Sequence, residues 1–166
     1  MHVYLLRHGI AEDGHAGSPD ADRALTTEGR KKLRQVLQTA AKAGVQPALI
    51  ISSPYKRAMQ TAEIARRALG YHGEILQSKS LTPASSVEQA WEEIRLQRSA
   101  DSLLLVGHNP LFEHLSGYLL GHANLKMDFK KGAMLRVDLE SLGNTPRGVL
   151  RWCLTPRLAE SGIAVE

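Results

Sequence analysis

The sequence predicts an α/β fold, a three-layer α/β/α sandwich in which a mostly parallel central sheet has an antiparallel edge. Up to about residue 120, short apolar runs alternate with stretches of helical periodicity, which is typical of parallel sheets covered by helices. Two runs of alternating apolar and polar residues follow, separated by Gly-Asn-Thr-Pro at 143–146, and they predict an antiparallel pair. We expect one domain over 1–158 and a C-terminal tail over 159–166.

The spacing of apolar residues predicts the elements of the first half. The run 3–6 predicts a strand, and after a polar loop either Thr26 or Thr27 can cap a helix. The helix then carries an apolar stripe at Leu33, Val36, Leu37, Ala40 and Ala41. A second apolar run at 48–52 predicts a strand that leads into another helix. The inward face of that helix carries Ala58, Thr61, Ala62, Ala65 and Leu69.

The second half predicts a weak strand, two more helices, a buried strand and the terminal pair. Residues 74–77 form a candidate short strand, and 102–106 form a strongly apolar one. The third helix is marked by Val87, Ala90, Trp91 and Ile94, and the fourth starts at Pro110 with Phe112, Leu115 and Leu119 inward. Alternation at 133–139 and 150–154 predicts the antiparallel strands.

Composition excludes several classes of function. Of the 166 residues 43% are hydrophobic, and a formal net charge of +4 is too mild to predict nucleic-acid binding. No run approaches the roughly 18 apolar residues of a membrane span, and the chain starts with a strand rather than a basic leader. The single cysteine, Cys153, cannot form an internal disulfide. We therefore expect a cytoplasmic protein that binds neither membrane nor nucleic acid.

Three apolar runs end in residues that suit the binding of an anion. The first runs into Arg7, His8 and a glycine, the second into a Ser-Ser-Pro sequence and then Arg57, and the third into a glycine followed by His108. The carboxyl ends of parallel strands meet at one edge of a sheet, where open α/β folds bind ligands. We expect these two arginines and two histidines to share one crevice, where they suit a phosphoryl group.

The chemistry of this set points to phosphoryl transfer. Arg7 and Arg57 supply permanently charged bidentate donors, and His8 and His108 supply a nucleophile and a further donor. An imidazole nitrogen attacks near neutral pH without a separate base. Because the sequence has neither an Asp-rich metal cluster nor a Gly-x-x-x-x-Gly-Lys loop, it favours a route with no metal and no cofactor, through a phosphorylated histidine.

Three segments of the chain resemble the signatures of the histidine phosphatase superfamily, which includes the phosphoglycerate mutases. They are Leu-Arg-His-Gly at 6–9, Ser-Pro-Tyr-Lys-Arg-Ala-Met-Gln-Thr-Ala at 53–62 and Val-Gly-His-Asn-Pro at 106–110. The order matches, and the resemblance covers nearly the whole chain. Within the superfamily the chain is similar to the short SixA-type phosphohistidine phosphatases. It shares Arg-His-Gly-x-Ala at 7–11, Arg-x-Leu-Thr-x-x-Gly at 23–29, Leu-Thr-Pro at 81–83 and the small size.

The resemblance implies a phosphoglycerate mutase-like fold and a role for each matched residue. His8 would be the phosphorylated nucleophile, and Arg7, Arg57 and His108 would bind and stabilise the phosphoryl group. Arg23 would lie at the pocket rim. Asn109 either binds substrate or caps the fourth helix, whose N-terminus also favours an anion.

One departure from the superfamily pattern bears on the substrate. Mutases and many sugar-phosphate phosphatases carry a glutamate before the third helix as proton donor to an alkoxide, but residues 80–84 here hold no carboxylate, and the next is Glu88. Loss of a positioned acid typically costs about 10²–10⁴-fold in rate. A protonated phosphoramidate releases imidazole far more readily, so we expect a preference for phosphohistidine. Glu12, Asp13 or Glu113 could still supply a proton.

Two alternatives remain open from the sequence. The first is a broad small-molecule phosphomonoesterase on the same scaffold, which would take small phosphate esters. The second is a module that binds phosphate or a phosphoprotein without turnover, although a binder has no need of the nucleophile His8. The expected partner is a phosphorylated protein or a small phosphate ester.

Overall fold

The computed structural model describes residues 1–162 and has six strands in one mixed sheet. The strands are β1 (His2–Arg7), β2 (Leu49–Ser52), β3 (Ile75–Gln77), β4 (Ser102–Gly107), β5 (Met134–Ser141) and β6 (Arg147–Leu154). Their order across the sheet is β3-β2-β4-β1-β5-β6. The first four are parallel, whereas β5 runs antiparallel to β1 and β6 antiparallel to β5. The predicted parallel sheet with an antiparallel edge is confirmed.

Within residues 1–162, five helices cover the sheet. They are α1 (Thr27–Lys42), α2 (Lys56–Ala68), α3 (Val87–Leu96), α4 (Leu111–Leu119) and α5 (Pro156–Glu160), with 3-10 turns at Asp20–Asp22 and Lys79–Leu81. Helices α1 and α2 contact each other, α5 packs on α1, and α3 pairs with α4. None of the helices described within residues 1–162 is long and apolar enough to span a membrane.

Alternating residues of the central strands divide the core into two layers. On β1, Val3 and Leu5 pack with α3 and α4, whereas Tyr4 and Leu6 pack with α1 and α2. The same alternation on β4 explains why every residue from Ser102 to Gly107 is buried. Two buried layers on opposite faces of one sheet make the predicted three-layer sandwich.

The C-terminal boundary differs from the expectation. Residues 159 and 160 were expected in the tail, but they belong to α5, and Ala159 packs against the core beneath α1. The expected boundary at residue 158 thus falls inside a helix, which Thr155 caps and which packs against α1. Residues 163–166 of the expected tail lie outside the described part of the chain, and the single-domain assignment stays a prediction.

The start of α1 is locked against the loop that follows β1. Thr26 caps the helix, since its Oγ1 accepts a hydrogen bond from the Gly29 N–H at 2.9 Å. Its backbone N–H and hydroxyl both donate to the Ile10 carbonyl, at 2.9 and 3.3 Å. A Cβ on Gly29 would collide with that carbonyl, which leaves no room for a side chain. The glycine in the 23–29 segment therefore permits close packing of two backbones.

We expect Gly29→Ala to destabilise the protein by about 1–3 kcal/mol, because the added methyl must push the Ile10 backbone away. Helix propensity alone predicts the opposite sign, a gain of about 1 kcal/mol. The measurement is the midpoint of urea unfolding, with Gly143→Ala as the control, since a Cβ there meets nothing within 4 Å. A Gly29→Ala protein as stable as the parent would show that this packing is not needed.

Candidate active site

The carboxyl ends of β1, β4 and β2 bring the four predicted residues to one site. His8 follows β1 and His108 follows β4, and their ring centroids lie 5.0 Å apart. Arg57, in the first turn of α2 after β2, places its Nε 3.4 Å from His8 Nε2. Arg7 is the last residue of β1, beside His8. The expectation that these residues share one crevice agrees with the geometry.

The imidazole of His8 has a defined orientation and protonation state. Its Nδ1 lies 2.7 Å from the Gly9 carbonyl oxygen, which can only accept, so Nδ1 carries the proton. Nε2 is then unprotonated and accepts a long hydrogen bond from the Arg57 Nε–H at 3.4 Å. The pKa of His8 is lowered to about 4, mainly by burial and also by the nearby cations Arg57, Arg7 and Lys131, which together outweigh the opposite effect of the Gly9 hydrogen bond. At neutral pH, His8 therefore presents a lone pair on Nε2 to the site.

His108 is neutral for similar reasons and is held by a serine. Burial, followed by His8 and Arg57, lowers its pKa to about 3. Its Nε2 lies 2.8 Å from Ser53 Oγ, and this hydroxyl also accepts the Tyr55 N–H at 3.3 Å. The Tyr55 amide occupies one lone pair of Ser53 Oγ, so this hydroxyl can either donate to His108 Nε2 or accept from it. In the tautomer in which the hydroxyl donates to Nε2, the proton of His108 is on Nδ1.

Arg57 is anchored at its far end by an aspartate. Its Nη1 donates to the main-chain oxygen of Asp20 at 2.7 Å, and its Nη2 donates to Asp20 Oδ2 at 2.9 Å. The Asp20 carboxylate is held in turn by Arg23, whose Nη1 donates to Oδ1 at 2.9 Å. Hydrogen bonds and charge from Arg23 and Arg57 hold the pKa of Asp20 below its usual range. The Nε edge of Arg57 is left facing His8.

Thr61 connects the elements that carry His8 and Arg57. Its buried hydroxyl donates to the Arg57 carbonyl at 2.7 Å and accepts the Gly9 N–H at 3.2 Å. One side chain therefore joins the turn after β1 to the first turn of α2. Thr61 contributes to the site by holding these backbones together.

Several buried polar atoms at this site have no hydrogen-bond partner among the described residues. They are Arg7 Nε, His108 Nδ1 and Asn109 Oδ1. Native proteins pair nearly all buried donors, so unpaired ones at one place indicate groups that meet a ligand. Two of the three atoms are donors on residues that were expected to bind phosphate.

Arg23 contacts the site through Asp20, and its expected place at the pocket rim and the expected substrate contact of Asn109 stay predictions. The Arg23 Nε donates to the Glu12 carbonyl at 2.7 Å. The alternative of Asn109 as a helix cap is wrong, because Pro110 holds that position and no side chain caps α4. The Asn109 amide donates to Glu113 Oε1 at 2.5 Å and to the Phe129 carbonyl at 3.1 Å instead. Arg7 Nη1 donates to the same carbonyl at 2.6 Å, so Asn109 is tied to Arg7 through Phe129.

The four carboxylates considered as proton donors are not equivalent. Glu12 and Asp13 lie in the exposed loop after β1. Glu88 is fully exposed in the first turn of α3, where hydrogen bonds from its own backbone and Ser86 lower its pKa. Burial lowers the pKa of Arg7, and the nearby charge of Glu113 acts in the opposite direction on the same pKa. Of the four, Glu113 is the one bound to site residues.

Sequence reasoning missed three residues that the structure places at the site. Ser53 lay within a matched motif but carried no assigned role, and Asp20 and Lys131 were indistinguishable from other charged loop residues. The i, i+3 spacing of Asp20 and Arg23 was the only sequence signal for their pairing. Among residues 1–162, no group of three histidine, cysteine or acidic side chains is arranged to hold a metal ion.

Comparison with known proteins gives a consistent set of relatives. The model of the histidine phosphatase superfamily (branch 1) matches residues 3–82. An uncharacterized protein of Picosynechococcus sp. is 36% identical over 138 residues, which cover 81% of this chain and 83% of that protein. Phosphohistidine phosphatase SixA of Escherichia coli is 28% identical over 158 residues, 94% of each chain. The structure of the protein histidine phosphatase SixA complexed with tungstate has a TM-score of 0.85 and 27% identity, and the match covers 95% of this chain and 98% of that one.

The fold and the site together define the class of protein. In this chain, parallel strands of the sheet end in a pocket of two arginines and two neutral imidazoles. The chain belongs to the histidine phosphatase superfamily, with SixA among its homologues and the phosphoglycerate mutase-like fold of that group. Membership in this superfamily supports a phosphatase activity. The resemblance drawn from the three motifs is confirmed.

The two buried histidines predict that acid weakens the fold. Their ordinary pKa is 6.5, and it falls to about 4 for His8 and about 3 for His108 on folding. Between pH 6.5 and about 4 the unfolded chain therefore binds more protons than the folded one, so the free energy of unfolding falls as the pH falls, by up to about 1.4 kcal/mol per pH unit for each histidine. Urea unfolding across this range measures the slope.

His108→Asn should make that slope shallower, because one of the two proton-linked groups is gone. His72→Asn, at an exposed histidine, is the matched control and should keep the parent slope. A parent protein whose stability does not change between pH 6.5 and about 4 would contradict neutral burial of both rings.

Proposed function

We propose that the protein is a phosphatase that works through phosphorylated His8 and removes phosphoryl groups from phosphohistidine on another protein. The observation that carries this proposal is the state of His8, with Nδ1 held by the Gly9 carbonyl and an unprotonated Nε2 beside Arg57. An imidazole in this state is a nucleophile at neutral pH, and the adjacent guanidinium groups suit the charge of a phosphoryl group.

In the first half-reaction, His8 Nε2 attacks phosphorus and forms a new P–N bond. The P–N bond to the substrate imidazole breaks, and its electron pair leaves with that imidazole. Arg7, Arg57 and the His108 Nδ1–H donate to the equatorial oxygens, where charge accumulates. When the substrate phosphohistidine is protonated on its other ring nitrogen, the imidazole leaves as a neutral group and no proton has to move.

In the second half-reaction, water attacks phosphorus and the bond to His8 Nε2 breaks. Because the Gly9 carbonyl holds the proton on Nδ1, His8 also leaves as a neutral imidazole, and the water protons stay on the released phosphate. Both half-reactions thus break a P–N bond to neutral imidazole. A site that performs them needs no carboxylic acid, whereas release of an alkoxide does.

The region before α3 supports this choice of substrate. The loop there has hydroxyl groups in the region where mutases and many sugar-phosphate phosphatases carry a glutamate. Two of them, Thr82 Oγ1 and Ser85 Oγ, are hydrogen-bonded to each other at 2.7 Å. The relatives point the same way, since one is named a phosphohistidine phosphatase. A related protein histidine phosphatase binds tungstate, a tetrahedral oxyanion like phosphate. The expected cytoplasmic location is part of this proposal.

A small-molecule phosphomonoesterase is the second candidate, and Glu113 is the observation that favours it. Its carboxylate accepts the Asn109 amide at 2.5 Å, and Asn109 is tied to Arg7 through Phe129. A carboxylate at this edge of the site could protonate an alkoxide. The two candidates differ in whether turnover depends on that carboxyl group.

Replacement of His8 by Asn should lower the rate of aryl phosphate turnover by at least about 10³-fold, because the nucleophile is lost. The parent protein, quenched with base during turnover, should carry one phosphoryl group on His8 by mass spectrometry, and acid should remove it. Ser141→Asn, on an exposed residue at the end of β5 away from the site, is the control and should keep activity. Turnover by His8→Asn at the parent rate would refute the mechanism.

A histidine-phosphorylated peptide should have a kcat/KM at least about 10²-fold above that of an alkyl phosphate, since only the alkyl ester needs a positioned acid. Glu113→Gln should leave the rate on the phosphohistidine peptide within about twofold. Equal kcat/KM on the two substrates, together with loss of alkyl phosphate turnover in Glu113→Gln, would favour the phosphomonoesterase instead.

A further inference from the structure

An open, basic cleft of about 860 Å³ extends from the candidate site across the surface. Arg7 forms its inner end, and its walls come from α1, from the segment between α4 and β5, and from α5. The cationic side chains along it are Arg7, Lys32, Lys130, Lys131 and Arg157. The proposed chemistry uses only Arg7, so the other four cations have no assigned role.

Positive charge predominates in this cleft. Two carboxylates, Asp128 and Glu160, line it together with the five cations. Lys130 pairs with Asp128 at 2.6 Å and Lys32 pairs with Glu28 at 3.5 Å, and such surface ion pairs stabilise little and exchange partners readily. Lys131 and Arg157 have no carboxylate partner among the described residues. The five cations and two carboxylates of the lining sum to a charge of +3, compared with a formal net charge of +4 for the whole chain.

The cleft and the candidate site share a wall. The Phe129 carbonyl accepts Arg7 Nη1 and the Asn109 amide, and Lys130 and Lys131 follow it directly in the chain. The Gly132 N–H closes this segment onto the Arg7 and His8 carbonyls, at 3.1 and 3.0 Å. Lys131 is also near enough to lower the pKa of His8. The cleft and the candidate site therefore meet at Arg7 and at the 129–132 segment.

The lining fits an extended acidic peptide better than a nucleic acid. Ile10 and Pro156 supply apolar contact beside the cations, and the lining holds no aromatic side chain on which a base could stack. Charge complementarity thus favours a peptide that carries several carboxylates.

We propose that this cleft is the docking surface for an acidic segment that flanks the phosphohistidine of a protein substrate. The inference rests on the proposed function and adds the recognition element for its substrate. Cations at the rim attract such a segment and set its direction, with the phosphohistidine delivered at the Arg7 end.

Matched histidine-phosphorylated peptides test the proposal. Three versions differ only in three flanking residues, which are Glu, Gln or Lys. The parent enzyme should favour the Glu peptide over the Lys peptide by about tenfold or more in kcat/KM at low salt, and salt should reduce the preference. Equal kcat/KM for the three peptides would overturn the proposal.

Charge reversal locates the surface. Lys130→Glu and Arg157→Glu should each lower kcat/KM for the Glu peptide by about two- to fivefold, raise it for the Lys peptide and leave aryl phosphate turnover unchanged. Arg147→Glu is the matched control, because β6 begins at the sheet edge opposite the site. An equal loss in Arg147→Glu would show a general charge effect and overturn the assignment of the cleft.

Inhibition of aryl phosphate turnover by the unphosphorylated peptides tests the cleft separately from the proposed function. The Glu peptide should inhibit the parent enzyme and inhibit Arg157→Glu less. This result without any turnover of phosphohistidine would refute the proposed function but keep the docking surface. No inhibition by the Glu peptide, or stronger inhibition by a single-stranded RNA of equal charge, would refute the docking surface.

Discussion

Parallel pairing of β1 with β4 is the constraint on which the rest of the structure depends. The register runs from His2 opposite Ser102 to Arg7 opposite Gly107, so both strands end at the same level and the next residue of each is a histidine. The His8 N–H donates to the Gly107 carbonyl at 3.0 Å and extends the ladder one step further. A shift by one residue would turn every buried side chain to the opposite face and separate the two rings.

Space at the strand ends is as tightly limited as the register. A Cβ on Gly107 would meet the Phe112 ring within 2.8 Å, and a Cβ on Gly9 would collide with Leu33. Both glycines adjoin the candidate histidines. Core side chains therefore pack directly against the backbone next to both histidines. This packing leaves the imidazoles no space to move inward, so a ligand has room only at the polar edge of the pocket.

Electrostatics at the site follows from crowding cations around buried rings. Burial disfavours the imidazolium form of both histidines and the two nearby arginines add to this effect, so both rings stay neutral, as the proposed role of His8 requires. Asp20 offsets part of this positive charge at the far end of Arg57, where it does not occupy the edge that faces His8. The cleft beyond Arg7 extends the positive field outward, so an anionic chain meets attraction before it reaches the pocket.

The sequence by itself determined the strands, the main helices and the four residues of the candidate site. These could be predicted because their signals are local: apolar runs that end in Arg7-His8, in the segment before Arg57 and in His108, together with the 3.6-residue periodicity of α1 and α3. The rule that parallel strands meet ligands at their carboxyl ends supplied the one long-range step. The match to three family motifs added the proposed roles.

Only the tertiary structure decided which charged groups face the site. Asp20, Lys131 and Arg157 lie in polar segments that resemble any solvated loop, and Asp20 pairs with Arg57, which is distant in sequence. The same applies to Asn109, which contacts Glu113 and Phe129 rather than capping α4, and to the short helix α5. Local propensity determines elements because backbone hydrogen bonds and apolar spacing are nearby in the chain, whereas the pairing of exposed charges depends on packing that joins remote segments.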